Sequence, residues 1–274
     1  MDRTQRAIDL GKVQVQMHRV DTPPVADDTR AERVALSREF SLGTVESVAR
    51  VSLDWEALKE RRIVAKDDAL PANQAYRMLR TQVLQRARTH GLTTLGVISA
   101  MNGEGKTLTA INLALVLAAE PNQTVLLVDL DLRHPNVART LSLNVERGLE
   151  TWFGGEEPTR NVCYGVEGVE RLFILPTLQS VSNSSEVLAS VGTRKLFNDL
   201  KGRDPGRVLL VDLPPVLLTD DALTVAPLLD GVVLVVNERR TRREDVVRVV
   251  DLLGNTRIVG TVLNRSSESL KRAY

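Results

Sequence analysis

Residues 94–107 read Thr-Leu-Gly-Val-Ile-Ser-Ala-Met-Asn-Gly-Glu-Gly-Lys-Thr, and this stretch decides the fold. Its first half is apolar, its middle is a turn of small residues, and an alanine- and leucine-rich helical pattern follows Thr107. This order predicts a strand, a glycine-rich loop and a helix. It is the structural context that a phosphate-binding P-loop requires.

The spacing from Ala100 to Thr107 fits the P-loop pattern, with alanine in place of the first glycine. The loop glycines let backbone N–H groups curl around phosphate, and the free N–H groups of the next helix point at the same place. Lys106 would reach the terminal phosphates and the Thr107 hydroxyl would hold Mg²⁺. A plain glycine turn with an exposed lysine is the alternative. The predicted nucleotide-binding residues are Asn102, Gly103, Glu104, Gly105, Lys106, Thr107 and Leu108.

Composition excludes several classes of protein. The 274 residues carry 36 Lys and Arg against 35 Asp and Glu, so no basic field indicates nucleic acid. Cys163 is the single cysteine, which excludes an internal disulfide and favours a reducing, cytoplasmic setting. The N-terminus lacks the pattern of a signal peptide and no 18-residue apolar run occurs, so we expect no direct membrane span.

From residue 94 onward, short β-branched runs alternate with helical patterns. This alternation predicts an α/β P-loop NTPase fold, with a mostly parallel sheet and helices on both faces. We expect a flexible N-terminal segment at 1–50, the ATPase domain at 51–265 and a flexible tail at 266–274. The predicted strands are 95–99, 125–130, 172–175, 208–213, 232–236 and 258–263. The predicted helices are 71–88, 106–119, 185–201, 221–229 and 243–253, the third of them capped by residues 183–186.

Three aspartates follow apolar runs at the predicted strand ends. Asp129 and Asp131 close the run Val-Leu-Leu-Val-Asp-Leu-Asp, and Asp212 closes Val-Leu-Leu-Val-Asp. In open α/β sheets the C-terminal ends of strands carry the ligands of bound groups, so the three carboxylates indicate a metal site and a group that orients the attacking oxygen. The residues alone leave the attacking group open between a water, a protein hydroxyl and a small molecule.

Together these motifs resemble the bacterial tyrosine autokinases (BY-kinases) of exopolysaccharide and capsule synthesis. Residues 129–135 resemble that family's second Walker A-type motif, and residues 208–215 its Walker B strand. Residues 74–81 are similar to its Glu-x-x-Arg-x-x-Arg self-association motif, with Gln74 in place of the glutamate. Further matches lie at 148–156, 183–188, 219–222 and 263–264.

The resemblance implies phosphoryl transfer from MgATP to tyrosine hydroxyls. Lys106 and Thr107 would then bind phosphates and Mg²⁺, with Asp129 and Asp212 also at the metal. Asp129 would accept the tyrosine proton, and Asp131 would serve as metal ligand or base. A homo-oligomer is implied, with its subunit contacts at Gln74, Arg77 and Arg80.

The resemblance also implies a partner, a membrane chain-length determinant (polysaccharide co-polymerase) protein. This partner would recruit the cytoplasmic chain to the inner face of the cell membrane. The family commonly phosphorylates a tyrosine-rich C-terminal tail, whereas this tail holds only Tyr274, which is the phosphoacceptor candidate.

Two other functions stay open. The scarcity of tyrosines favours a nucleotide-dependent switch or scaffold of the same assembly, without significant kinase activity. A partition-type ATPase is the second, although Met101 stands where that class carries an additional lysine.

Overall fold

The computed structural model describes residues 48–64, 71–155, 157–201 and 206–266. Most of the predicted N-terminal segment and the tail beyond residue 266, including Tyr274, lie outside the described residues. Within the described parts of the chain, no helix is both long enough and apolar enough to cross a bilayer.

The described strands form one sheet in the order β1-β4-β5-β3-β6-β2-β7-β8. Every neighbouring pair is parallel except β4 and β5, so the predicted mostly parallel sheet is confirmed. The bounds are β1 Arg50–Val51, β2 Thr94–Ser99, β3 Thr124–Asp129, β4 Tyr164–Val166, β5 Val169–Leu175, β6 Arg207–Asp212, β7 Gly231–Asn237 and β8 Ile258–Asn264.

Helices cover both faces of this sheet. Successive side chains of β3 alternate between two apolar cores, with Val125 and Leu127 in one and Leu126 and Val128 in the other. Burial on both faces explains why the central strands read as continuous apolar runs. The helices are α1 Trp55–Glu60, α2 Pro71–His90, α3 Lys106–Ala118, α4 Val137–Leu141, α5 Leu149–Phe153, α6 Ser184–Ala189, α7 Val191–Lys201, α8 Asp221–Val225 and α9 Arg243–Leu253.

Two of the predicted helices are wrong in extent. The helix predicted at 185–201 is interrupted at Ser190, whose extended backbone (ψ 163°) separates α6 from α7. The helix predicted at 221–229 ends at Val225 and continues as a 3-10 turn at Ala226–Leu228, where Pro227 supplies no N–H donor. The predicted cap is also wrong, because Asn183 makes no side-chain capping hydrogen bond.

The two short strands β1 and β4 were not predicted from the sequence. β1 and β4 have two and three residues, too few for an alternating pattern to stand out. β1 belongs to an N-terminal strap, which we define as residues 48–64. This strap runs from the sheet edge to α3, where the Asn112 Oδ1 accepts a hydrogen bond from the Val64 N–H at 2.8 Å.

Candidate active site

The phosphate loop connects β2, which lies between β6 and β7, to the buried helix α3. Gly103 and Gly105 have φ values of 77° and 94°, in the left-handed region that favours glycine. Gly105 is the N-cap residue of α3 and has no side chain with which to cap it. The first N–H groups of the helix therefore remain available to an anion, as in the predicted nucleotide site.

The buried side chain of Glu104 braces the loop from within. Its Oε2 accepts a hydrogen bond from the Met101 N–H at 3.1 Å, and its Oε1 accepts one from the Thr241 hydroxyl. The Asn264 Nδ2 donates to the Glu104 carbonyl oxygen at 2.8 Å. Groups at and just beyond the ends of β7 and β8 thus hold the loop in its curled shape. Thr241 and its bond to Glu104 were not identified from the sequence.

Lys106 lies between two carboxylates. Its Nζ is 2.8 Å from Asp131 Oδ2 and 3.5 Å from Asp212 Oδ1. Burial works to lower the pKa of Lys106, but the charges of Asp212 and Asp131 outweigh it and raise the pKa overall. The lysine is therefore a buried cation that occupies the space between the carboxylates.

The Thr107 hydroxyl donates a hydrogen bond of 2.5 Å to Asp212 Oδ2. The other oxygen of this fully buried carboxylate, Oδ1, accepts no hydrogen bond from the described residues. A hydroxyl and a carboxylate oxygen whose one polar neighbour among the described residues is the Lys106 ammonium, below a phosphate loop, fit a hydrated Mg²⁺, whose remaining ligands are commonly phosphates and waters. Within the part of the chain that the structure describes, no group of three or more His, Cys, Asp or Glu side chains forms a metal-binding cluster.

Asp129 lies at the end of β3, opposite Asp212 on β6. Its Oδ2 accepts hydrogen bonds from the N–H groups of Asn136 and Val137, both at 2.9 Å. Its Oδ1 accepts one from the Asp131 N–H at 3.2 Å. Burial, followed by the charge of Asp212, raises the pKa of Asp129 to about 8. This carboxyl therefore holds the 130–137 loop in place, and its raised pKa favours the protonated form.

The raised pKa of Asp129 predicts that stability depends on pH. Between the ordinary aspartate pKa of about 4 and the folded value of about 8, the folded chain holds a proton that the unfolded chain releases. The free energy of unfolding should therefore fall as pH rises, by up to about 1.4 kcal/mol per pH unit from this group. Urea unfolding of the nucleotide-free protein between pH 5 and 8 measures this slope.

Asp129→Asn should flatten that slope, because the amide does not titrate. The exposed Asp251→Asn on α9 is the matched control and should leave the slope as in the wild type. Equal slopes in all three proteins would contradict the assignment.

A second cluster of polar side chains connects three loops near Asp131. Its hydrogen bonds were not predicted from the sequence. The Arg133 Nε lies 3.1 Å from Asp221 Oδ2, and the Arg133 Nη2 donates to the Ser185 hydroxyl at 3.1 Å. The Ser184 hydroxyl donates to the same Asp221 oxygen at 2.8 Å. Burial works to raise the pKa of Asp221, but hydrogen bonds from Arg133, Ser185 and Ser184 lower it overall. The residues at 183–186 thus fix the Arg133 loop.

The predicted oligomer residues lie on α2, not in the phosphate loop. Gln74 and Arg77 are exposed. Arg80 is only partly exposed, and its Nη2 is 3.0 Å from Glu120 Oε1 of the same chain. Arg80 therefore helps to hold α2 against the C-terminal end of α3 within one subunit.

Comparison with known proteins places this site in context. Residues 92–272 match a family model described as "ParA: NUBPL iron-transfer P-loop NTPase". The chain is 26% identical over 219 residues to the tyrosine-protein kinase YwqD of Bacillus subtilis (strain 168), covering 78% of this chain and 90% of that protein.

Two solved kinase domains have the same fold. The VpsO kinase domain is 30% identical, with a TM-score of 0.64, and the match covers 72% of this chain and 96% of that one. The kinase domain of the Escherichia coli tyrosine kinase ETK is 26% identical, with a TM-score of 0.67, and the match covers 77% of this chain and 84% of that one. A nucleotide-binding function follows for the loop at 100–107.

Proposed function

Because this chain belongs to the ParA-type P-loop NTPase family and, within it, to the bacterial tyrosine kinases, we propose that it transfers the terminal phosphoryl group of ATP to tyrosine hydroxyls. The phosphorylation regulates exopolysaccharide polymerisation or export, the setting of the autokinases that the sequence resembles. The observation that carries the proposal is the buried cluster of Lys106, Thr107, Asp131 and Asp212 below the phosphate loop.

The residues of the cluster have separable roles. Lys106 would bind the terminal phosphates, and the Thr107 hydroxyl, which contacts Asp212 here, would be a ligand of Mg²⁺. Asp212 would help to hold the metal. Bound Mg²⁺ supplies charge that stabilises the phosphates during transfer. In this structure the Lys106 ammonium balances the charges of Asp131 and Asp212.

The tyrosine oxygen forms the new bond to the γ-phosphorus while the bond to the β,γ-bridging oxygen breaks, leaving ADP. We assign the tyrosine proton to Asp131, whose carboxylate becomes free once Lys106 moves to the phosphates. Asp129, the acceptor implied by the family resemblance, is fully buried and both of its oxygens are engaged by backbone N–H groups. Its role is to position the loop that carries Asp131.

The proposed acceptor is Tyr274, presented by a neighbouring subunit of a homo-oligomer that uses Gln74 and Arg77 of α2. The proposed partner is a membrane chain-length determinant protein, which brings the chain to the inner face of the cell membrane. The sequence supports Tyr274 because it is the one tyrosine of the C-terminal tail.

Phosphosite mapping tests this function. After incubation of the full chain with MgATP, mass spectrometry should find phosphate on Tyr274 in the wild type and none in Lys106→Met. Tyr274→Phe should lose the signal yet still bind ATP. Phosphate on no tyrosine, even with the chain-length determinant protein of the same cells co-expressed, would overturn the kinase in favour of a nucleotide-dependent switch.

A further inference from the structure

A cationic loop lies beside the phosphate loop, and its arginines take no part in the site described above. We define the arginine loop as residues 238–243, which run from the end of β7 to the first residue of α9. All four of its arginines have exposed side chains: Arg239, Arg240, Arg242 and Arg243.

The backbone of this loop is fixed on both sides of Arg240. The N–H groups of Arg240 and Thr241 both donate to the Asn237 carbonyl oxygen, at 3.1 and 2.9 Å. The Thr241 hydroxyl accepts from the Asn237 N–H at 2.8 Å and donates to Glu104 in the phosphate loop. Arg240 thus directly precedes Thr241, which is hydrogen-bonded to the phosphate loop. The backbone position from which the Arg240 side chain extends is therefore fixed.

The guanidinium of Arg240 lies over the phosphate loop. A Cβ placed on Gly103 would be 3.4 Å from Arg240 Nη1, and apart from its neighbours in sequence no other described residue comes within 4 Å of that point. None of the ion pairs within the described ranges engages Arg240. An arginine without a carboxylate partner beside a glycine of a phosphate loop is placed to bind an anion there.

We propose that Arg240 binds the phosphate chain of the nucleotide and stabilises the charge that develops during transfer, as an arginine supplied by the same chain. A planar guanidinium forms paired, charge-assisted hydrogen bonds to phosphate oxygens that a lysine ammonium does not reproduce. Arginines placed in this way stabilise the transition state of phosphoryl transfer. The rate effect rests on the proposed kinase function, whereas the nucleotide contact rests only on the phosphate loop.

The test compares Arg240→Ala with Arg239→Ala, which removes the same charge from the neighbouring position. Binding of fluorescent N-methylanthraniloyl ATP and ADP to the full chain with Mg²⁺ is measured by titration. Arg240→Ala should weaken ATP binding about 10-fold and slow phosphorylation at saturating ATP about 10-fold or more. Arg239→Ala should change both by less than about 2-fold. Arg240→Lys should restore affinity more than rate.

Thr241→Val gives a second measurement, because it releases the arginine loop from Glu104. In that background Arg240→Ala should weaken ATP binding clearly less than it does in the wild type, and this coupling measures the anchoring. Equal losses in Arg239→Ala and Arg240→Ala would overturn the proposal and favour a loop that contacts an anionic surface through its total charge. Unchanged ATP binding in Arg240→Ala would overturn it as well.

The two proposals fail separately. Weaker ATP binding in Arg240→Ala, together with a wild type that phosphorylates no tyrosine, would support the arginine contact and overturn the kinase. Tyrosine phosphorylation that is identical in wild type and Arg240→Ala at all ATP concentrations would support the kinase and overturn the arginine contact.

Discussion

Lys106→Met should abolish MgATP-dependent phosphorylation and also destabilise the nucleotide-free chain. Loss of a preorganised charge at the transferring phosphoryl group costs roughly 100-fold or more in rate. The same change leaves Asp131 and Asp212 facing each other without their shared cation. Removing one partner of a buried ion pair costs about 3 kcal/mol or more, so chemical unfolding should detect the variant even without nucleotide.

A double variant separates these two effects. Lys106→Met with Asp131→Asn removes one of the stranded carboxylates, so the free energy of unfolding should recover in part while phosphorylation stays absent. Lys195→Met removes an exposed lysine on α7 and is the control for loss of a lysine as such. Wild-type stability in the single Lys106→Met variant would show that the ammonium does not balance the buried carboxylates.

Gly105→Ala should prevent nucleotide binding and destabilise the fold. The backbone φ of 94° disfavours any Cβ, and the added methyl would collide with the Asn264 Nδ2 that holds the Glu104 carbonyl oxygen. The strain falls on the loop that binds phosphate. Either the loop must shift or the Asn264 side chain must give up its hydrogen bond to the Glu104 carbonyl oxygen. We expect a loss of more than about 2 kcal/mol in unfolding free energy and no measurable ATP binding.

Gly91→Ala is the matched control. Gly91 also has a positive φ of 63°, but a Cβ there meets no atom within 4 Å. Gly91→Ala should lower the unfolding free energy only by the intrinsic penalty of a side chain at positive φ, about 1–2 kcal/mol, and leave ATP binding unchanged. Similar losses of ATP binding in both variants would refute a specific collision with Asn264.

The fold class was predictable because its signals are local. The β2–loop–α3 unit places a turn of small residues between two apolar elements, and the buried strands are apolar on both faces. Asp129 and Asp212 close their strands as the runs indicated, which brings them opposite each other once the strands pair in parallel.

The remaining features depend on contacts between distant residues. Nothing local to Glu104 indicates that its side chain turns inward to Thr241, 137 residues away in sequence. Ser184 and Ser185 read as capping residues, yet their hydroxyls bond to aspartates across the site because Asp221 is buried beside them. The break in the helix at Ser190 was not predicted, because the apolar spacing continues across it.

The N-terminal strap forms hydrogen bonds to two helices that border the nucleotide site. Its Arg61 donates a hydrogen bond of 2.8 Å to the Arg139 carbonyl oxygen near the C-terminal end of α4, whose first N–H, that of Val137, binds Asp129. Its Val64 is tied to α3, the helix that begins at Lys106. A displacement of the strap would therefore reach both helices that border the reacting groups.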